Sequence, residues 1–213
     1  MPDLSDLLPL FPLPSVVLFP GVFLPLHIFE PRYREMVEEA LATDRLIGMV
    51  LLRDGWQDDY EGCPPVYELG CSALITHCEK LPDGRYNIVL RGLDRFRIVE
   101  EDRTRSFRRA RTASVPDRTL TEDERAELRL LRGRIEALLA PSEQGEGIDP
   151  RAASAMSDED LVNALAQYLD LDAIEKQALL EQPDVPERAR ALVELLEMKV
   201  LIARTPSASP LTH

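Results

Sequence analysis

The chain has 213 residues, 45% hydrophobic and 30% charged, with a net charge of −13 and an isoelectric point near 4.7. That balance supports a folded globular protein and argues against general disorder. The negative surplus disfavours nonspecific binding of nucleic acid or anionic membranes by the protein as a whole.

Lysine occurs only at Lys80, Lys176 and Lys199. Cys63, Cys71 and Cys78 are an odd number of thiols in a chain large enough to fold without staples. The opening Met1-Pro2-Asp3-Leu4-Ser5-Asp6 has no basic stretch leading into an apolar one, and no apolar run reaches the roughly 18–20 residues of a membrane span. A cytoplasmic protein with reduced cysteines is expected.

The first half, residues 1–116, reads mainly as strands. Leu7–Phe11, Val16–Phe19 and Phe23–Ile28 are short apolar runs punctuated by Pro9, Pro12, Pro14, Pro20 and Pro25. Proline removes a ladder donor, so edge, bulged or bent strands are expected. From Pro31 to Leu41 the apolar positions Tyr33, Met36, Val37, Ala40 and Leu41 recur at helical spacing, and Pro31 suits a first turn. Leu46–Leu52 reads as a buried strand and Asp54–Pro65 as a polar loop. Val66–Leu81 and Arg85–Arg91 read as two strands joined at Pro82-Asp83-Gly84. Arg95–Glu100 follows as a separate strand, with Phe96 and Ile98 on one face and Arg95 and Arg97 on the other, towards solvent. Phe107–Val115 reads as the last strand.

Residues 117–205 change period. Thr121 with Glu124, Ser157 with Asp160, Asp172 with Glu175, and Asp184 with Glu187 each carry the polar-x-x-acid pattern that opens a helix. Four such helices need a shared apolar core, so a helical bundle is expected. Pro141–Ser157 reads as a loop, and residues 206–213 as a disordered tail.

Catalytic constellations are thin. A metal held by Cys63, Cys71, Cys78 and His77 is disfavoured. On one extended strand Cys71 and His77 share a face but lie about 20 Å apart, while Cys71 and Cys78 point to opposite faces. Buried or half-buried thiols are the simpler reading. A Cys–His nucleophile would need His27 or His77 beside a thiol of lowered pKa. For His27, in an apolar stretch near Glu30, a structural hydrogen-bonding role at a strand–helix junction is favoured. No Gly-Lys pair occurs, which excludes a P-loop, and no Gly-x-Ser-x-Gly is present. Nine arginines between Arg85 and Arg111 stand out in this acidic chain. The favoured reading is that Arg95 and Arg97 face solvent and pair with Glu100, Glu101 and Asp102, ahead of contact with RNA or an acidic peptide.

Leu8-Pro9-Leu10-Phe11-Pro12-Leu13, Val16-Val17-Leu18-Phe19-Pro20-Gly21 and Leu24-Pro25-Leu26-His27-Ile28-Phe29-Glu30-Pro31-Arg32-Tyr33 together resemble the start of a Lon protease amino-terminal domain. The form with His27 and Glu30–Tyr33 is nearer to short, stand-alone bacterial members. Gly70 to Leu74, Lys80–Arg85 and Leu90–Ile98 follow the family's hairpin and its glycine-leucine turn. Asp170–Arg204 resembles the helices behind the sheet.

The resemblance implies an α+β fold, with an N-terminal β-rich PUA-like pseudobarrel holding one helix, followed by a C-terminal α-helical bundle. It implies a non-catalytic polypeptide-recognition or adaptor module without ATPase or protease parts, since no room is left after Arg204. A structural or oligomerisation protein without clients, or a small-ligand- or RNA-binding PUA-like domain, are the alternatives. Expected partners are unfolded or degron-bearing polypeptides, a full-length protease, or a second copy; no cofactor, metal or membrane is expected. A module of this kind needs exposed apolar surface. The candidate substrate-binding residues are Phe11, Phe19, Phe23, His27, Phe29, Arg32, Tyr33, Arg91 and Arg95.

Overall fold

The computed structural model describes residues 7–59, 62–139 and 155–204. The tail from residue 206 and most of the 141–157 loop lie outside them.

Six strands form one sheet: β1 (Leu8–Leu13), β2 (Phe23–Ile28), β3 (Leu46–Leu51), β4 (Leu69–Lys80), β5 (Tyr86–Asp102) and β6 (Arg108–Val115). Their order is β2-β5-β4-β3-β1-β6, and β6 pairs again with β5. This second pairing closes five strands into a ring and leaves β2 outside it, attached to β5 alone. The 17-residue length of β5 makes this possible: its residues 86–91 carry β2, while residues 95–102 carry β6.

The prolines of β1 are not at a sheet edge, contrary to expectation, because β1 lies between β3 and β6. Each sits where the strand is paired on one side: Pro9 opposite Arg109 of β6, Pro12 opposite Val50 of β3. A missing N–H is harmless at such a position. Val16–Phe19 is also not a strand. It packs Val17, Leu18 and Phe19 into the core without joining the ladder, and the Phe19 N–H donates instead to Gln167 Oε1 at 3.2 Å.

Arg85–Arg91 and Arg95–Glu100 merge into β5, and the Gly92-Leu93 turn expected between them is part of the strand. Cys71 pairs with Arg95 but Ala73 with Gly92, so β5 carries one extra residue there. Gly92 is needed for close approach: a Cβ would strike the Phe19 carbonyl. A second irregularity, between Ile75 and His77, gives β4 one extra residue. It changes which way the strand's end faces. Cys71 is buried and His77 exposed, so they do not share a face, while Cys78 packs against the core cluster that contains Cys71.

Helix α1 (Pro31–Ala42) buries Tyr33, Met36, Val37 and Ala40, and Glu38 accepts from the Tyr86 hydroxyl at 2.6 Å. Four helices follow the sheet: α2 (Glu122–Leu139), α3 (Asp158–Tyr168), α4 (Ala173–Leu180) and α5 (Val185–Arg204). All four start at the expected polar residues. Thr121 and Glu124 bond reciprocally, the Asp160 N–H donates to Ser157, Asp172 and Glu175 form a capping box, and the Glu187 N–H donates to Asp184 at 3.0 Å.

One apolar core runs through sheet and helices alike, from Phe11, Phe19, Met49 and Ile88 to Leu128, Leu165, Leu179 and Leu192. A small second cluster joins Leu10, Val50, Phe96 and Ala110, from β1, β3, β5 and β6. Phe96 is therefore interior, as expected. Arg95 points the other way but does not reach solvent, because the segment between α4 and α5 covers it. It is 2% exposed and donates to the carbonyls of Leu180, Gln182 and Pro183 and to Asp117.

Candidate functional site

The nine candidate residues separate into four places. Phe11 and Phe19 are buried, 5% and 0% exposed, so the exposed role expected of them does not fit. Burying each aromatic ring is worth roughly 1.5–3 kcal/mol, and here the core takes that gain. Tyr33 is also buried, with its ring 4.5 Å from that of Phe11. The Arg32 guanidinium lies 4.7 Å over the Tyr33 ring and bonds Glu30 at 3.0 Å. Arg32 and Tyr33 line a cavity of about 250 Å³ together with Pro12, Leu52, Phe107 and Arg108. Arg95 is the buried clamp described above.

Phe23 with Arg91, and His27 with Phe29, mark the two ends of the exposed side of β2. In β2 every second residue points outward, which exposes Phe23, Pro25 and His27 and buries Ile28. Phe23 is 50% exposed, and Phe29, just past the strand, is 60% exposed. The His27 and Phe29 rings are 6.4 Å apart and inclined by 24°. Arg91 stands opposite Phe23 on β5, on the same face and exposed.

The His27 ring is held by a polar chain. Asn87, opposite it on β5, donates its amide to Glu79 at 3.1 Å and turns its carbonyl to His27 Nδ1 at 2.8 Å. A carbonyl only accepts, so Nδ1 carries the proton and Nε2 accepts from Arg85 at 3.2 Å. The structural role expected for His27 is thus realised, with Asn87 and Arg85 as partners while Glu30 bonds Arg32. Asn87, Pro25 and Tyr168 went unrecognised as parts of this face. Period-two alternation with Phe23 and His27 is the signal that could have found Pro25; Tyr168 and Asn87 carry no local signal.

Eight of the nine arginines between Arg85 and Arg111 are in ion pairs. Arg111 pairs with Glu100, Arg108 and Arg103 with Glu101, and Arg109 with Asp102 and Glu39; Arg85, Arg95, Arg97 and Arg105 take Asp83, Asp117, Glu68 and Glu39. Arg95 and Arg97, expected to pair with Glu100, Glu101 and Asp102, take Asp117 and Glu68 instead, while those three carboxylates hold Arg103, Arg108, Arg109 and Arg111. Arg91 alone of the nine has no ion pair among the described residues.

Neither Cys71 nor Cys78 is suited to act as a nucleophile. Burial pushes the Cys71 thiol up to about 12, and burial also raises that of Cys78, the reverse of what a thiolate needs. Among the described residues no group of three His, Cys, Asp or Glu side chains is placed to hold a metal ion.

A ring-closed sheet with a helical buttress defines a mixed α+β fold, and solved Lon amino-terminal domains have it. The N-terminal domain of a Mycobacterium avium complex Lon protease superposes with a TM-score of 0.69 over 90% of this chain and 98% of that one, at 19% identity. A Lon N-terminal domain protein from Xanthomonas campestris gives 0.59 over 94% and 99%, at 25% identity. Residues 7–198 match the family model of the ATP-dependent protease La (LON) substrate-binding domain. The chain belongs to the Lon substrate-binding domain family. It is 30% identical over 200 residues to Lon protease 2 of Myxococcus xanthus, covering 92% of this chain and 24% of that protein. It is 32% identical over 202 residues to a Lon protease of Heliobacterium modesticaldum, covering 91% and 24%. The chain thus spans about a quarter of the length of the curated relatives it matches.

Proposed function

We propose that this chain is a non-catalytic recognition module that binds unfolded or degron-bearing polypeptides through the outward face of β2, in the cytoplasm. The closed sheet corresponds, on this reading, to the PUA-like pseudobarrel and the capped helices to the bundle behind it. The observation that carries the reading is the exposure of Phe23 at the start of β2 and of Phe29 just past its end, on a strand outside the ring, in a chain of the Lon substrate-binding family. Two large aromatics left in water at the two ends of one strand cost solvation that a partner's apolar side chains recover. Unfolded chains offer such side chains together with bare backbone. The absence of any Gly-Lys pair from the sequence leaves no P-loop for ATP, which supports a role in binding rather than in hydrolysis.

Fluorescence anisotropy of a labelled, permanently unfolded reporter protein tests the proposal. Saturable binding is expected at micromolar concentration. Phe23→Asp with Phe29→Asp is expected to weaken it by about tenfold or more, since aromatic anchors dominate such interfaces. Both side chains are half-exposed or more, so the fold should tolerate the changes. Binding unaffected by the double substitution would rule out this face.

A further inference from the structure

The open edge of β2 has a feature that side-chain exposure alone does not supply. The Val22 carbonyl accepts from the Gly92 N–H at 2.9 Å and so points to β5, while the Val22 N–H donates to the Phe19 carbonyl at 3.3 Å. β2 pairs with β5 without a slip from Phe23 opposite Arg91 to Ile28 opposite Tyr86. Antiparallel alternation then turns the main-chain groups of Phe23, Pro25 and His27 away from β5. The Phe23 carbonyl confirms the direction: it accepts from the Tyr168 hydroxyl of α3 at 2.8 Å. Beyond that bond, the Pro25 carbonyl and both main-chain groups of His27 face outward, with no neighbouring strand among the described residues.

We infer that this edge takes one extended peptide segment as a seventh strand, paired through His27 and the Pro25 carbonyl, with a carboxylate side chain of the segment answered by Arg91. The inference rests on the polypeptide-recognition reading and specifies its mode. Charge and the poor fit of a second copy select the occupant. Arg91 is the one arginine of its cluster without an ion pair among the described residues, and it shares the outward face with Phe23. Apolar side chains of the added strand meet Phe23 and Phe29 on that face, while an acidic one meets Arg91. A second copy of this chain is a poor fit. Symmetric pairing centred on Pro25 would set two prolines opposite each other with no N–H between them. It would also bring His27 against Phe23, whose carbonyl Tyr168 already holds. Pairing centred on His27 would press two His27–Arg85 pairs together.

The probe is a fluorescein-labelled eight-residue peptide of valine and threonine with one central glutamate. It is compared with the same peptide N-methylated at alternate residues, and with one carrying lysine in place of glutamate. The parent peptide is expected to saturate, and N-methylation of the edge-facing residues to weaken binding by about tenfold, because the backbone bonds are lost. The lysine peptide is expected to bind several-fold more weakly than the glutamate one, and Arg91→Ala to erase that difference. His27→Pro, which removes an N–H that β5 does not use, is expected to lower parent binding to the N-methylated level. Slowed hydrogen exchange at the His27 amide on adding the parent peptide reads the same contact in the unaltered protein. Equal binding of N-methylated and parent peptides, or unchanged His27 exchange at saturation, would overturn strand addition. So would a dimer that His27→Pro dissociates. If the parent peptide fails while the unfolded reporter protein still binds, only the strand-addition mode is lost; if both fail, the recognition reading falls with it.

Discussion

Arg95 shows how far a residue's place departs from its local pattern. It alternates with Phe96 as a strand residue should, yet its face is roofed by the segment joining α4 and α5. Nη1 bonds the Leu180 carbonyl at 3.0 Å, and Nη2 bonds Asp117 at 2.8 Å and the Pro183 carbonyl at 2.9 Å. Arg188, 0% exposed, adds a second guanidinium to the same Asp117 and to Asn163. Two buried cations sharing one carboxylate are tolerated because main-chain carbonyls supply the remaining negative ends. Arg95→Met is expected to destabilise the protein by about 3–5 kcal/mol, because it leaves the three carbonyls unanswered and Asp117 with only the more distant Arg188, rather than replacing the whole network. Urea titration of this variant beside Arg97→Met measures it. Arg97 is exposed and only 3.5 Å from exposed Glu68, so its change should stay within about 0.5 kcal/mol.

At the scale of elements, the helix starts were legible and the strand breaks were not. A capping box is read from two residues three apart, and its partners are its own backbone. The one at Thr121 reaches further, because Arg118 bonds both Glu124 and Asp184, tying the start of α2 to the start of α5. Arg118 first, then the Thr121 N–H and hydroxyl, hold the Glu124 carboxyl down at about 2, against an ordinary 4.5. A carboxyl depressed in the folded state stabilises it above the unfolded value and loses that effect as pH falls through the folded one. The melting-temperature gap between the parent protein and Glu124→Gln should therefore be full above pH 4.5, shrink from there towards about 2, and vanish below. Thermal melts followed by circular dichroism across that range check it; a gap independent of pH would contradict the assignment. The strands failed where one extra residue enters a ladder. Gly92-Leu93-Asp94 has turn-like composition, and whether it turns or bulges depends on Phe19 and β4, both distant in sequence.

Across the whole molecule, sheet and helices are held by polar hooks as well as by their common apolar core. Gln167 accepts from the Phe19 N–H, Gln177 donates to the Leu69 carbonyl at 3.0 Å, and Arg95 grips the α4–α5 connection. Each hook joins a residue of the first half to the helical half and is buried, so losing one side leaves unsatisfied groups on the other. The chain is expected to unfold in urea as one transition, with Trp56 fluorescence and far-ultraviolet circular dichroism coincident. A fragment ending at residue 116 should show no cooperative melt, since it exposes the face on which Phe19, Met49 and Ile88 meet the helices. Two separated transitions, or a fragment that melts cooperatively, would show that the core divides.

By itself, the sequence determined the family, the period of each half, the four helix starts and the lack of a P-loop, because these are written in residue types at short spacing. It also carried half of the candidate face: Phe23, His27 and Phe29 alternate within one short stretch. Only the tertiary structure decided that Phe11 and Phe19 lie inside while Phe23 and Phe29 lie out, that Arg95 is walled in, and that Arg91 stands beside Phe23 with no ion pair among the described residues. Burial and ion pairing are settled by which distant segments cover a residue, and the helices that do the covering here arrive up to 148 residues later in the chain.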